Sequence, residues 1–306
     1  MKSNNLVILV YHGVTDKVNS GIENFSSKHL YFQDFEDQMK LLKNKYLVLS
    51  MDDVYKIYNE NLIIPENSVA ITFDDGFKNN ISIAAPILDK LQLPATFYVS
   101  TGLINTNSLF WVDLIEDIII KCELNEISIQ LESLEKFIFN SDQSKIDAII
   151  EIKRYCKKVK KSIKDKIIKQ LILITNYHKI ESLINSNYEM MNWDDLRLLH
   201  SNDNFIVGGH SHNHDILANF DDNNNLKLDL SLSIDLLKYN LETEVIHYAY
   251  PEGQIEHYND LVISELKDLG IKCCPSAIHG FNDGSEDLFN LKRIMPGFMN
   301  MKFPLK

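Results

Sequence analysis

The chain has 306 residues, of which 45% are hydrophobic and 24% are charged, with 7 prolines and 11 glycines. This composition is typical of an ordered globular protein and argues against long disordered stretches. The formal net charge of −12 opposes a general role in nucleic-acid binding, because neutralising phosphates requires a surplus of lysine and arginine. We therefore expect no nucleic-acid partner.

The first apolar run, Leu6–Tyr11, is too short for a membrane span or for the core of a signal peptide, so we expect a cytoplasmic protein. The four cysteines lack the paired spacing of zinc fingers, and reduced thiols are expected. They are Cys122, Cys156, Cys273 and Cys274.

Short apolar and β-branched runs alternate along the chain with segments whose apolar residues have helical spacing. Helix starts are marked by Ser50 with Asp53 and by Asn192 with Asp195, which resemble acidic capping boxes. Such alternation is typical of a parallel sheet or barrel covered by helices, so we predict an α/β fold. The predicted strands are Leu6–Tyr11, Val69–Phe73, Ala95–Val99, Phe205–Val207, Val245–Tyr250 and Ile271–Cys274.

The character of the chain changes between about residues 105 and 190, where Lys, Ile, Glu and Leu dominate and glycine and proline nearly disappear. We interpret this stretch as a mostly helical insertion, with a short strand near Glu126–Leu131, within one domain spanning residues 1–306. At its start, Trp111 would either stack on a sugar ring or pack the insertion onto the barrel.

One stretch of this acidic chain, Glu151–Gln170, is strongly basic. It could form the solvated face of amphipathic helices whose apolar side holds Ile163, Ile167 and Leu171. The alternative is that it anchors the phosphates of a nucleotide- or lipid-linked substrate, which would include peripheral contact with a membrane. The cations are Lys153, Arg154, Lys157, Lys158, Lys160, Lys161, Lys164, Lys166 and Lys169.

Two adjacent carboxylates, Asp74 and Asp75, follow the predicted strand Val69–Phe73 and precede Gly76. Catalytic residues of barrel enzymes lie at the carboxyl ends of strands. Because consecutive side chains diverge at a strand end, one acid could bind a metal while the other faces a reacting water. An Asp-Asp-Gly sequence is also a common turn, so this motif alone does not establish a site.

A second cluster, His210-Ser211-His212-Asn213-His214, follows the predicted strand Phe205–Val207 and two glycines. His210 and His214 are four residues apart, a spacing that brings both rings to one side and is used for divalent metal ligands. Two imidazoles and one carboxylate leave coordination positions open for water and substrate. The alternative is a histidine-rich surface loop without function.

The segments Thr72–Gly76 and His210–His214 resemble the first two signatures of the NodB-like polysaccharide deacetylases. Similarity outside the helical insertion extends to further segments. They are Tyr11–Val14, Phe35–Leu49, Pro94–Phe97, Met191–Asp194, Tyr248–Gly253 and Leu291–Ile294.

The resemblance implies a distorted (β/α)7-type barrel with a divalent metal, most often zinc, held by Asp75, His210 and His214. It implies that Asp74 is the general base and that the backbone N–H of Glu252 stabilises the oxyanion, although an acidic side chain at position 252 departs from the family pattern. No basic partner for Asp74 is evident in the sequence.

The proton donor to the leaving amine is not identified by the resemblance, because the late leucine-x-x-histidine signature has no clear copy. His279 and His12 are the candidates, since both follow predicted strands.

The expected function is metal-dependent removal of an N-acetyl group from an amino sugar during surface polysaccharide or glycan biosynthesis, on a nucleotide- or lipid-linked precursor. Two alternatives remain. The same site could act as a deformylase or on another small amide, or the protein could bind sugars without turnover.

Overall fold

A five-stranded parallel sheet lies at the centre of the computed structural model, which describes residues 5–18, 21–178, 186–297 and 303. The strands are β1 (Leu6–Tyr11), β2 (Gly13–Thr15), β3 (His29–Tyr31), β4 (Leu47–Leu49), β5 (Ser68–Phe73), β6 (Ala95–Val99), β7 (Glu126–Gln130), β8 (Leu134–Ile138) and β9 (Phe205–Gly209). The main sheet has the order β1-β5-β6-β9, and β4 pairs with the first half of β5.

Isolated β-bridges continue this sheet beyond β9 and return it to β1. Across the closing seam, the N–H of Val10 donates to the carbonyl of Ile294 at 2.9 Å, and the N–H of Ile294 donates to Ile8 at 2.8 Å. The sheet therefore closes into a distorted barrel. The parallel bridges that extend it are Gly209–Tyr248, His247–Cys273, His279–Arg293 and Leu9–Ile294.

The strands of the barrel follow the sequence prediction closely where both faces are buried. Every residue of β1, β5 and β6 is buried, as expected for parallel strands covered on both sides. Phe73 stacks on Phe97 with ring centroids 4.9 Å apart, which ties β5 to β6 inside the core. The predicted strands Val245–Tyr250 and Ile271–Cys274 pair only through single bridges, so they are shorter than expected.

Helices cover the barrel, and two of them start where the sequence predicted. Capping boxes are present at Ser50 with Asp53 and at Asn192 with Asp195. Short 3₁₀ turns occur at Thr101–Leu103, Ser186–Tyr188, Leu217–Asn219 and Ile255–His257, and a π turn at Asn80–Ala84. The helices are α1 (Phe32–Lys45), α2 (Met51–Asn59), α3 (Ala85–Lys90), α4 (Trp111–Lys121), α5 (Asp142–Lys158), α6 (Lys161–Thr175), α7 (Trp193–His200), α8 (Asn223–Leu241) and α9 (Asp260–Asp268).

The segment predicted as a helical insertion contains α4, α5, α6 and the antiparallel hairpin β7–β8. Its residues 179–185 lie outside the described part of the chain. The three helices build a second apolar cluster, in which Ile115, Ile149, Ile152 and Leu171 are fully buried. This cluster sits beside the barrel core and gives the helices their own packing surface.

All four cysteines are buried and free. Among the described residues, no helix is long and apolar enough to cross a membrane.

Gly208 in β9 allows a test of how closely this strand packs against its neighbours. A Cβ at that position would lie 2.7 Å from the carbonyl oxygen of His247 and 2.8 Å from the ring of Tyr98. Gly208→Ala should therefore lower the free energy of unfolding by about 1–3 kcal/mol, measured by urea denaturation. Gly280→Ala is the control, because its Cβ would meet only the flexible side chain of Lys292. Equal stability of Gly208→Ala and the unmodified protein would contradict the close approach of β9 to the 247 segment.

Candidate active site

The two motifs singled out in the sequence converge at the carboxyl end of the barrel. Nε2 of His214 lies 3.2 Å from Oδ1 of Asp75, and Nε2 of His210 lies 3.5 Å from the same oxygen. The three side chains are buried, and their candidate ligand atoms all lie within 4.8 Å of one another. One carboxylate oxygen and two imidazole nitrogens therefore face a common point.

These residues fit a divalent metal ion on physical grounds. In a tetrahedral site with bonds of about 2.0–2.1 Å, neighbouring ligand atoms are about 3.3 Å apart. The distances of 3.2 and 3.5 Å from Oδ1 of Asp75 to the two imidazole nitrogens are close to that value. Within the described part of the chain, the buried Oδ1 of Asp75 and Nδ1 of His214 have no hydrogen-bond partner. Buried polar atoms are rarely left unpaired. A metal ion would pair Oδ1 of Asp75, the oxygen that faces the two imidazoles.

The second ring nitrogen of His210 has a partner. Nδ1 of His210 lies 2.9 Å from the carbonyl oxygen of Ala249. Because a carbonyl only accepts, Nδ1 must carry the proton, which leaves the lone pair of Nε2 directed at the site.

The end of β6 holds the two ligand loops together. The N–H of Ser100 donates to the carbonyl of Asp75 at 3.2 Å, and the Ser100 hydroxyl donates to the carbonyl of His210 at 2.6 Å. The N–H of His210 donates in turn to the carbonyl of Val99.

Trp111 of α4 donates its indole N–H to the carbonyl of His214 at 3.0 Å. Trp111 is buried, so it packs the insertion onto the ligand loop.

The backbone is strained at these positions. Asp75 (φ 78°), Ser211 (φ 64°), His214 (φ 56°) and Glu252 (φ 61°) all adopt left-handed conformations. For residues other than glycine, such conformations cost about 1–3 kcal/mol and persist only where the surroundings enforce them. The surrounding fold therefore enforces these conformations at residues around the cavity.

Asp74 is held by a residue that the sequence analysis did not identify as its partner. Arg293 donates Nη1 to Oδ1 and Nη2 to Oδ2 of Asp74, both at 2.7 Å, and its Nε donates to the carbonyl of Ser276. Both side chains are buried. Burial alone would raise the pKa of Asp74, but Arg293 lowers it, so the carboxylate stays ionised.

Lys28 is a second cation that the sequence analysis missed. Its Nζ lies 3.0 Å from Oδ2 of Asp75 and 3.1 and 3.2 Å from the two carboxylate oxygens of Asp113. Burial alone would raise the pKa of Asp75, but Lys28 and His214 hold it well below its usual value. Lys28 thus occupies the Oδ2 side of Asp75 and leaves Oδ1 for the two histidines.

A cavity of about 460 Å³ opens at these residues. Of the two histidine candidates for the proton donor, one lines this cavity and the other does not. His12 lines the cavity together with Asp74, Asp75, His210 and His214. His279 is exposed and does not line it, because the chain passes the cavity at Ala277, two residues earlier. The structure therefore brings His12, and not His279, to the site.

Glu252 also lines the cavity, next to a histidine that the sequence analysis did not consider. Burial would raise the pKa of Glu252, but Lys157 and His214 lower it to about 2, so the side chain is a carboxylate. The backbone N–H of Glu252 donates to no residue in the described part of the chain. His257 lies on the following 3₁₀ turn, is buried and lines the same cavity. In the sequence, His257 lies five residues after Glu252, and this proximity to a candidate site residue could have marked His257 as a further candidate.

Comparisons with known proteins assign the chain to a family. The family model for polysaccharide deacetylase matches residues 63–274, a range that contains both ligand loops. The chain belongs to the polysaccharide deacetylase family. The match includes Asp74, Asp75, His210 and His214 and ends before Arg293.

Individual relatives support the same family assignment. A curated poly-β-1,6-N-acetyl-D-glucosamine N-deacetylase of Staphylococcus aureus is 28% identical over 214 residues, covering 65% of this chain and 69% of the relative. The Streptococcus pyogenes deacetylase PplD, solved with acetate, aligns with a TM-score of 0.58 at 20% identity, covering 97% and 94% of the two chains. IcaB from Ammonifex degensii aligns with a TM-score of 0.59 at 14% identity, covering 96% of this chain and 92% of IcaB. The predicted barrel of this family is thereby confirmed.

The buried Asp74–Arg293 pair yields a stability prediction. Arg293→Met should lower the free energy of unfolding by about 3–5 kcal/mol, because it leaves Asp74 buried without its cation. Urea denaturation measures this loss, and the double variant Asp74→Asn/Arg293→Met should recover much of it.

Arg197→Met is the matched control for this experiment. Arg197 pairs with Asp194 on the surface, where both side chains are exposed, and such pairs contribute about 0–1 kcal/mol. An equal loss in both arginine variants would contradict the role of Arg293 as the counter-charge of Asp74.

Proposed function

We propose that the protein is a metal-dependent hydrolase that removes the N-acetyl group of an amino sugar during surface polysaccharide or glycan biosynthesis. One observation carries this proposal: Asp75, His210 and His214 converge beside a separate, ionised Asp74 in the wall of a single cavity. A purely structural metal site would not need the additional carboxylate. The cytoplasmic setting and zinc as the ion, both expected from the sequence, are parts of the same proposal.

The named relatives favour acetate as the released acid. The S. aureus relative is described as an N-deacetylase of an N-acetylglucosamine polymer, and the S. pyogenes structure was solved with acetate. We therefore prefer the acetamide of an amino sugar over a formamide or a small cyclic amide.

A divalent cation held by Asp75, His210 and His214 would polarise the acetamide carbonyl and lower the pKa of a water molecule. Asp74 would take the proton from the attacking water, since it is ionised and lines the same cavity. The bidentate contact with Arg293 fixes the plane of the Asp74 carboxylate, so that the side chain enters the reaction in one orientation.

Two further groups of the cavity would complete the reaction. The backbone N–H of Glu252, which donates to no described residue, would donate to the oxyanion that forms as water attacks. His12 would deliver the proton to the leaving amine. Burial lowers the pKa of His12 to about 4, so its ring is neutral at the start, and the proton that Asp74 takes from the water would have to pass to His12 before His12 gives it to the amine.

Asp74→Asn tests the division of roles between the two adjacent aspartates. The variant should keep its bound metal, because Asp75 supplies the ligand, and should lose acetate release by about 10²–10⁴-fold. Metal content is measured by atomic absorption, and released acid by chromatography on reactions with N-acetylated amino-sugar substrates. Chelation should abolish turnover in the unmodified protein, and added zinc should restore it.

Asp235→Asn on α8 is the control, because Asp235 is exposed and lies outside the cavity lining. Unchanged turnover in Asp74→Asn would remove Asp74 from the mechanism. Formate in place of acetate would favour the deformylase alternative, and the absence of either acid would favour a sugar-binding protein.

A further inference from the structure

One wall of the catalytic cavity is cationic although the chain carries a net charge of −12. Lys153, Arg154, Lys157 and Lys158 of α5 line the same cavity as Asp74. Counted from Lys153, the other three lie one, four and five residues further along the helix, which places all four on one side of it. We call these four side chains the α5 wall.

The inner half of the α5 wall is neutralised by carboxylates. Lys153 pairs with the buried Glu116, and Nζ of Lys157 lies 2.5 Å from Oε2 of Glu252. These pairs fix the helix against α4 and against the loop at Glu252.

The outer half of the α5 wall keeps its charge largely uncompensated. Within the described ranges, Glu151 is the one carboxylate that pairs with Arg154, and exposed pairs of this kind are weak. Among the described residues, no carboxylate lies within ion-pair distance of Lys158. Glu256 faces the same cavity from the 3₁₀ turn, where its carboxylate lies 3.8 Å from His257. Arg154 and Lys158 are therefore available to an anion that enters the cavity.

The lysines of the basic stretch that lie on α6 are arranged differently from the cations on α5. The solvated-face interpretation therefore fits α6, and the phosphate-anchor interpretation fits α5. Lys161 and Lys164 of α6 pair with Asp165 and Asp215 and do not line the catalytic cavity. Other cations of α6, such as Lys169, are exposed to solvent. Only the α5 part of the stretch faces the residues that would carry out hydrolysis.

We propose that the α5 wall binds a diphosphate attached to the amino sugar, so that the substrate is a diphosphate-linked N-acetyl sugar and not a neutral glycan. This inference rests on the proposed deacetylase function. Phosphate oxygens accept charge-assisted hydrogen bonds from arginine and lysine, and a cavity of about 460 Å³ has room for more than one sugar ring. The diphosphate binds at Arg154 and Lys158, while the acetamide lies at Asp74.

The test compares acetate release from UDP-N-acetylglucosamine and from neutral N,N′-diacetylchitobiose by the zinc-loaded protein. We expect kcat/KM for the diphosphate sugar to be at least tenfold higher than for the neutral sugar. In Arg154→Gln/Lys158→Gln this ratio should fall at least tenfold, through KM. The control is Lys166→Gln/Lys169→Gln, which removes the same charge from exposed positions of α6 and should leave the ratio unchanged.

Direct binding of uridine 5′-diphosphate, measured by calorimetry on the loaded protein, tests the α5 wall without turnover. Binding should weaken at least tenfold in the α5 double variant and stay unchanged in the α6 control. A third substrate, a polyprenyl-diphosphate N-acetylglucosamine in detergent micelles, distinguishes a lipid carrier from a nucleotide carrier. Preference for either carrier over the neutral sugar supports the inference.

Two failures can be told apart. Equal acetate release from charged and neutral sugars, unaffected by the α5 double variant, would overturn the diphosphate site and leave the deacetylase function standing. Acetate release from none of the three substrates would count against the proposed function. In that case, diphosphate binding that is equal in the two double variants would also overturn the α5 site.

Discussion

Burial of two adjacent carboxylates is the constraint on which this site depends. Asp74 and Asp75 are 4% and 1% exposed, and ionised carboxylates are rarely buried without compensating charge. The fold gives each one a separate cation. Arg293 pairs with both oxygens of Asp74, whereas Lys28 contacts one oxygen of Asp75 and leaves the other oxygen facing two imidazoles. The two identical side chains therefore have different surroundings, and the proposed function gives them different roles.

Closure of the barrel makes this division possible. Arg293 lies next to Ile294, whose backbone pairs with β1, and it reaches Asp74 at the end of the neighbouring β5. His210 directly follows β9, on the far side of β6, and Ser100, directly after β6, bonds to both ligand loops. Groups that are far apart in the chain meet because parallel strands end at one rim.

The sequence predicted the parts of this arrangement that depend on local pattern. The bounds of β1 and β6 agree with the apolar runs, and both capping boxes are present. The four central site residues could be named because each follows a buried strand within a recognisable motif. Arg293 and Lys28 could not be assigned, because ion pairs across 219 residues, as between Asp74 and Arg293, leave no trace in local spacing. His279 was a candidate because strand ends were inferred from apolar runs, and the 271 segment reaches the cavity only at Ala277.

The most direct test of the account is the location of the metal. Anomalous diffraction at the zinc edge from crystals grown with zinc should show one strong peak within about 2.0–2.2 Å of an Asp75 oxygen and of Nε2 of His210 and His214. Asp74 should remain on Arg293, outside the coordination sphere. A peak at another place, or coordination by Asp74 with Asp75 left on Lys28, would contradict the assignment of the two carboxylates.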